Sequence, residues 1–266
     1  RMIHVEDAFQ QDFLDFEKAG LFPDAPCDEP FKFPEKDVCL VAHPDRAVTA
    51  VVLGDSHAVH AYWGLAHAYD QMGQNLKVMG KGACMPLLGY PSNHDVFKCQ
   101  PHIDQVISRI AESRQIQFVS LVYRGRYLDA SSSLTDLVAF EQGLDRTLQR
   151  FVAAGKTVHY FLPVVEPGFD PRLCAGSLPL GRQPPRSCVL DQSTEVSRSH
   201  TVRQAALGVL SRYPQVTVVD PNAHLCEDGR CAVLQEGHSV FKDDNHLSYF
   251  GSMKIGTQLR LKEQRN

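Results

Sequence analysis

The stretch Ala50-Val51-Val52-Leu53-Gly54-Asp55-Ser56-His57 decides the reading of this chain. Its first half is apolar and rich in β-branched residues without a break, as in a strand buried on both faces. The run stops at Gly54-Asp55, a pair that suits a tight turn, and helical spacing resumes from Ala58 to about Met72, where Gly73 ends it. Ser56 therefore sits at the carboxyl end of a buried strand and the start of a helix. An attacking hydroxyl is useful there, but a serine there can equally cap the helix. These eight residues alone leave both roles open.

Outward from this stretch, strands and helices alternate. Strands are expected over Val48–Leu53, Asn75–Met79, Gln117–Val122, Thr157–Leu162 and Val216–Val219. Helices are expected over Ala58–Met72, Asp104–Gln115, from a Ser131–Ser133 cap through Ala154, and over Thr194–Tyr213 and Tyr249–Lys262. Five apolar strands alternating with helices imply an α/β domain whose five-stranded parallel sheet is covered on both sides. Such sheets bind ligands beyond the carboxyl ends of their strands, which puts Ser56 on the functional rim. Residues 1–46 read as an N-terminal extension with a short amphipathic helix near Val5–Lys18, and residues 47–266 as one domain. Gly80–His102 and Pro163–Asp191 read as long loops.

The composition is that of a soluble globular chain: 266 residues, 43% hydrophobic and 22% charged, enough to bury roughly three quarters of the unfolded surface. A net charge of −4 and no basic stripe argue against nucleic acid as a partner. No apolar run approaches the ~20 residues of a membrane span. No signal peptide is visible and the sequence opens at Arg1 without Met, so we read it as an excised domain or a processed form.

The eight cysteines fall into four sequential pairs, Cys27 with Cys39, Cys84 with Cys99, Cys174 with Cys188, and Cys226 with Cys231. Each pair brackets a stretch rich in Pro, Gly, Asp or Asn. No C-x-x-C knuckle or spaced histidine pair supports zinc. Four disulfides are therefore expected, and with them an oxidising compartment.

Near the far end, Asp243-Asp244-Asn245-His246 supplies what Ser56 lacks. His246 could accept the serine proton, and Asp243, three residues earlier, could orient the imidazole from within one short turn. The following Leu247-Ser248 and a helix anchor this polar loop.

Gly54-Asp55-Ser56-His57, Cys84-Met85-Pro86-Leu87 and Asp243-Asp244-Asn245-His246-Leu247-Ser248, with Gly251 beyond, resemble the blocks of SGNH (GDSL-like) hydrolases. They are most similar to the extracytoplasmic domain fused to membrane acyltransferase-3 proteins. The resemblance covers about residues 47–260. It implies a three-layer, flavodoxin-like α/β/α fold, with Ser56 as nucleophile, His246 as base and Asp243 as its partner. It also implies an O-acetyltransferase acting on a bacterial cell-envelope glycan, or a secreted carbohydrate esterase. A glycan-binding module with a decayed site is the reading from a different class. The resemblance further implies a periplasmic location, a membrane-spanning acyltransferase domain upstream in the same polypeptide, and a glycan acceptor. No cofactor is expected in the domain itself, because the acetyl group would come ultimately from acetyl-CoA.

The family's oxyanion donors include a glycine after the second strand and an asparagine after the third. Gly82 matches the first. The third strand instead runs into Leu121-Val122-Tyr123-Arg124-Gly125, and Arg124 is the candidate there, close to the oxyanion or the acceptor sugar. Among other residues, Asp55 is expected to fix the turn. His57, His60 and His67 are expected to be core or rim histidines without a metal. Tyr62, Trp63 and Tyr69 are expected in the core. His224 and His238 receive no role.

Overall fold

The computed structural model describes residues 40–91, 99–127, 134–174, 188–194 and 199–263. The expected Val5–Lys18 helix, the Ser131–Ser133 cap and the Cys27–Cys39 pair lie outside them. The central sheet contains β1 (Ala50–Gly54), β2 (Leu76–Gly80), β3 (Phe118–Val122), β4 (Thr157–Phe161) and β6 (Thr217–Val219), all parallel, in the order β2-β1-β3-β4-β6. This is the doubly wound, flavodoxin-like order, and the direction of winding reverses at β1. The expected five-stranded parallel sheet is thus present, with strand ends shifted by one or two residues.

β1 is buried along its whole length because it lies between β2 and β3 and is covered on both faces. Val51 and Leu53 point to one layer, among α2 (Cys99–Glu112), α3 (Leu134–Ala153) and α4 (His200–Leu210). Ala50 and Val52 point to the other, among α1 (Ser56–Gln71) and α6 (Tyr249–Glu263). α1 and α6 cross in near backbone contact. A Cβ on Gly64 would fall 1.7 Å from the Ser252 carbonyl oxygen, and one on Gly256 would fall 2.0 Å from the Gly64 oxygen. Only glycine permits that approach. No helix among the described residues is long and apolar enough to cross a membrane.

The segment before β1 is tied to the sheet. Val41 bridges to Lys77 on β2, Leu40 is buried, and the Asn75 side chain bonds the backbone of His43 and Arg46. The expected Thr194–Tyr213 helix is shorter, as α4.

The reading from sequence missed the antiparallel pieces after β6. A single turn, α5 (Asn222–Leu225), leads to β7 (Arg230–Ala232), which pairs with β5 (Val189–Asp191); β8 (Leu234–Gln235) pairs with β9 (His238–Ser239). Strands of two or three residues carry no measurable periodicity, but their turns were legible. Asp228-Gly229 and Glu236-Gly237 all adopt positive φ, the conformation of a two-residue hairpin turn. The Cys226–Cys231 disulfide closes the first of these hairpins. Cys174–Cys188 ties the excursion after β4 to β5, and Cys84–Cys99 ties the loop after β2 to α2.

Candidate active site

The turn between β1 and α1 is fixed before any side chain at the site is considered. A Cβ on Gly54 would lie 1.6 Å from the Val122 oxygen, so only glycine lets β1 run that close to the end of β3. Asp55, rather than Ser56, is the N-cap: its Oδ1 accepts the His57 N–H at 2.8 Å, and its Oδ2 accepts the Arg124 N–H at 2.9 Å. One buried carboxylate thereby joins the turns after β1 and β3. Ser56 is the first residue of α1 and is partly exposed. Its N–H belongs to the helical turn whose donors no helical carbonyl can satisfy.

The His246 loop is built from the other direction. Phe241 bridges to Leu247, and the Lys242 N–H donates to the His246 oxygen at 2.9 Å, leaving Asp243, Asp244 and Asn245 at the tip. Asp243 Oδ1 accepts the Asn245 N–H at 3.0 Å and the His246 N–H at 2.8 Å, which curls the tip back on itself. Leu247 is buried, and the Ser248 hydroxyl caps α6 by accepting the Gly251 N–H at 3.1 Å. Gly251 must be small, since its Cβ would lie 2.2 Å from the Val240 oxygen. The Leu247-Ser248 and Gly251 of the sequence motif are thus the mounting of the loop.

The two halves meet. His246 Nε2 lies 2.8 Å from Ser56 Oγ, and His246 Nδ1 lies 2.9 Å from Asp243 Oδ2. With Nδ1–H donating to the carboxylate, Nε2 carries the lone pair that faces the serine hydroxyl. Desolvation opposes the Asp243 charge. Hydrogen bonds from the His246 ring and from the Asn245 and His246 backbone, together with the His246 charge, outweigh it and hold the carboxyl well below the usual carboxylate range.

Two more histidines belong to the site. His60 stacks on His246, with ring centroids 4.2 Å apart and planes 21° apart, and its Nδ1 is 3.0 Å from the Leu247 oxygen. His57 Nε2 is 3.2 Å from Asn245 Oδ1. Both rings are buried, and desolvation lowers the pKa of each, that of His60 strongly. His67 is exposed, and Tyr62 and Tyr69 are in the core. His238 stacks on Phe250.

Gly82 follows β2 in a turn tied to β1 by the Lys81 N–H on the Gly54 oxygen at 3.2 Å, so it borders the end of β1. It is exposed, and a Cβ there would meet open space. Arg124 does not lie loose on the rim. Its Nε and Nη2 grip Glu166 at 3.1 and 2.8 Å, and Arg126 Nε approaches the same carboxylate at 3.3 Å. Glu166, only 4% exposed, went unnoticed in the sequence. The signal was a lone acid in the otherwise apolar Pro163-Val164-Val165-Glu166-Pro167. Two residues on, the Gly168 N–H donates to the Asp244 oxygen at 2.8 Å and braces the His246 loop.

A family model described as the SGNH domain (fused to AT3 domains) matches residues 26–260. Among solved structures, the periplasmic domain of the lipopolysaccharide acetyltransferase of Salmonella ser. Paratyphi A is similar with a TM-score of 0.59 and 18% identity, over 82% of this chain and 85% of that one. Est24, a carbohydrate acetylesterase from Sinorhizobium meliloti, is similar with a TM-score of 0.47 and 12% identity, over 82% and 99% of the two chains. No curated protein matches the sequence. At 18% identity the likeness to the acetyltransferase domain speaks for the fold alone.

Proposed function

The chain belongs to the family of SGNH domains fused to AT3 domains, and from that premise we propose that it is a serine-dependent O-acetyltransferase domain. It moves an acetyl group, by way of an acetyl-serine, to a hydroxyl of a bacterial cell-envelope glycan. The observation that carries this reading is the relay from Ser56 Oγ through His246 to Asp243, with links of 2.8 and 2.9 Å, at the reversal point of the sheet. The acceptor class is suggested by the lipopolysaccharide acetyltransferase whose periplasmic domain shares the fold. The family's fusion to AT3 domains supports a membrane portion in the same polypeptide as the source of the acetyl group, with acetyl-CoA behind it and no cofactor in this domain. Three disulfides among the described residues fit a periplasmic setting.

The geometry supports the following proposed steps. Ser56 gives its proton to His246 Nε2 as Oγ forms a bond to the acetyl carbonyl carbon. The oxyanion that forms meets the amino-terminal end of α1, where the Ser56 N–H, the helix dipole and the Gly82 N–H can face it. His246 then protonates the departing group as its bond to the acetyl carbon breaks. The acceptor hydroxyl gives a proton to the same Nε2 while its oxygen bonds to the acetyl carbon of the acetyl-serine, and His246 returns that proton to Ser56 Oγ as the Oγ–acetyl bond breaks. Arg124, fixed by Glu166 on the neighbouring rim, is proposed to contact the donor or the sugar.

Incubating the protein with labelled acetyl donor and envelope oligosaccharides tests this reading. Label on the glycan, lost in Ser56→Ala with folding intact, is expected. Label appearing only as free acetate would make the domain an esterase. Absence of any adduct at Ser56 in folded protein treated with a serine-reactive ester analogue would leave the glycan-binding module.

A further inference from the structure

The first two turns of α1 do more than present Ser56. His57 and His60 reach the two residues on either side of His246. Asn245 Nδ2 donates to Asp244 Oδ1 at 2.6 Å, which turns Asn245 Oδ1 toward His57 and makes His57 Nε2 the donor across 3.2 Å. The Leu247 carbonyl can only accept, so His60 donates from Nδ1 across 3.0 Å. The His60 ring meanwhile lies against the His246 imidazole at 4.2 Å.

We propose that His60 is a positioning residue for the base, holding the His246 ring from one face and the adjoining backbone by its carbonyl, so that Nε2 stays aimed at Ser56. The inference rests on the acyl-transfer reading. One side chain does two jobs that neither phenylalanine nor asparagine does together: a flat face for stacking and a directed N–H. Burial keeps both rings neutral beside the titratable and charged groups that face them. Those are His246, Lys242 and His57 for His60, and Asp55, His246, Glu166 and Arg124 for His57. The imidazolium formed at His246 during each proton transfer therefore meets a neutral aromatic face and not a second cation.

The test separates stack from anchor. His60→Phe keeps a ring and loses the donor; His60→Asn places an amide N–H where Nδ1 was and loses the ring; His60→Ala loses both. Acetyl-ester turnover is measured alongside thermal melting. A loss of roughly 10- to 100-fold in kcat is expected for His60→Ala, the scale of a small misplacement of a reacting group, with KM little changed. Phe and Asn should each restore part of it. If the alanine variant does not fold, the other two carry the comparison. Folded Phe and Asn variants that both keep kcat within twofold would overturn the inference, as would lowered melting temperatures with kcat intact. Ser56→Ala and His246→Ala run in parallel: turnover persisting in these would instead remove the acyl-transfer reading itself.

Discussion

Replacing Asp243 by Asn should inactivate the site while leaving its shape. Asp243 Oδ1 receives the Asn245 and His246 N–H groups at 3.0 and 2.8 Å, and an amide oxygen can accept both, so the loop keeps its curl. The amide nitrogen then takes the place of Oδ2, 2.9 Å from His246 Nδ1. Oδ1 is also 3.1 Å from that nitrogen, but it already serves two donors. Two N–H groups cannot face each other there, so the ring adopts the tautomer with its lone pair on Nδ1 and its proton on Nε2. That proton points at Ser56 Oγ, 2.8 Å away, and the ring can no longer take the serine's own. In a serine–histidine–aspartate relay the wrong tautomer costs about 10⁴-fold in kcat, roughly 5.5 kcal/mol of barrier. We expect a loss of roughly 10³- to 10⁴-fold here at neutral pH, with the melting temperature close to that of the parent. Hydrolysis of a chromogenic acetyl ester gives the rate, and nitrogen-15 chemical shifts of His246 report the tautomer directly. Activity within tenfold of the parent, in folded protein with the proton on Nε2, would refute the tautomer argument.

Acid should destabilise the fold beyond what its carboxylates explain. Unfolded histidines take up a proton near pH 6.5, whereas the folded values of His57 and His60 are lowered by burial. The unfolded chain therefore binds more protons below that pH, and stability falls as pH drops through the window beneath about 6.5, by up to roughly 1.4 kcal/mol per unit for each ring. Denaturant melts at pH 7.5 and 5.5 check the slope, which His60→Asn should flatten. The two rim glycines should respond in opposite ways to Ala: Gly54→Ala should not fold, since its Cβ meets the Val122 oxygen at 1.6 Å, whereas Gly82→Ala should fold normally because the space is open. Expression and circular dichroism would show it, and a soluble native Gly54→Ala would contradict the close approach. Removing the Cys84–Cys99 bridge, with a separation of 15 residues, should lower stability by about 3 kcal/mol and slow ester turnover, because it ties down the loop that carries Gly82. A double serine variant measured by denaturation and by rate tests both effects.

The layered fold was legible because parallel strands buried on both faces are dominated by apolar residues. Ala50–Gly54 and Phe118–Val122 stand out in any window for that reason. The relay was legible because its parts sit at element ends and match a motif. What sequence could not show is how those parts are held. Nothing near His60 in the chain announces that it will lie under a ring 186 positions later. Glu166 reads as an ordinary loop acid until β3 and β4 bring Arg124 beside it. Both are consequences of long-range packing, which local pattern does not encode. The Asp228-Gly229 and Glu236-Gly237 turns differ: their dipeptides lay in plain view, and strands too short for periodicity hid them.

The loop sets the Asp243–His246 link by itself, but with the Asp243 side chain 42% exposed it needs a buried partner to aim it at Ser56. That partner is α1. Along that helix, Ser56 meets His246, His57 meets Asn245, His60 meets Leu247, and the Gly64 N–H meets the Ser252 hydroxyl at 2.9 Å. These contacts join one continuous helix to one short segment. The deepest of them lies where Gly64 and Gly256 bring two helices to backbone contact against the sheet. A buried, glycine-matched crossing has one seating, since a shift of even an ångström would drive backbone into backbone. The site inherits that single seating through two turns of helix. Gly256→Ala, whose Cβ would fall 2.0 Å from the Gly64 oxygen, should therefore fail to fold, as Gly54→Ala should, which circular dichroism would show; a native and fully active variant would contradict the single seating.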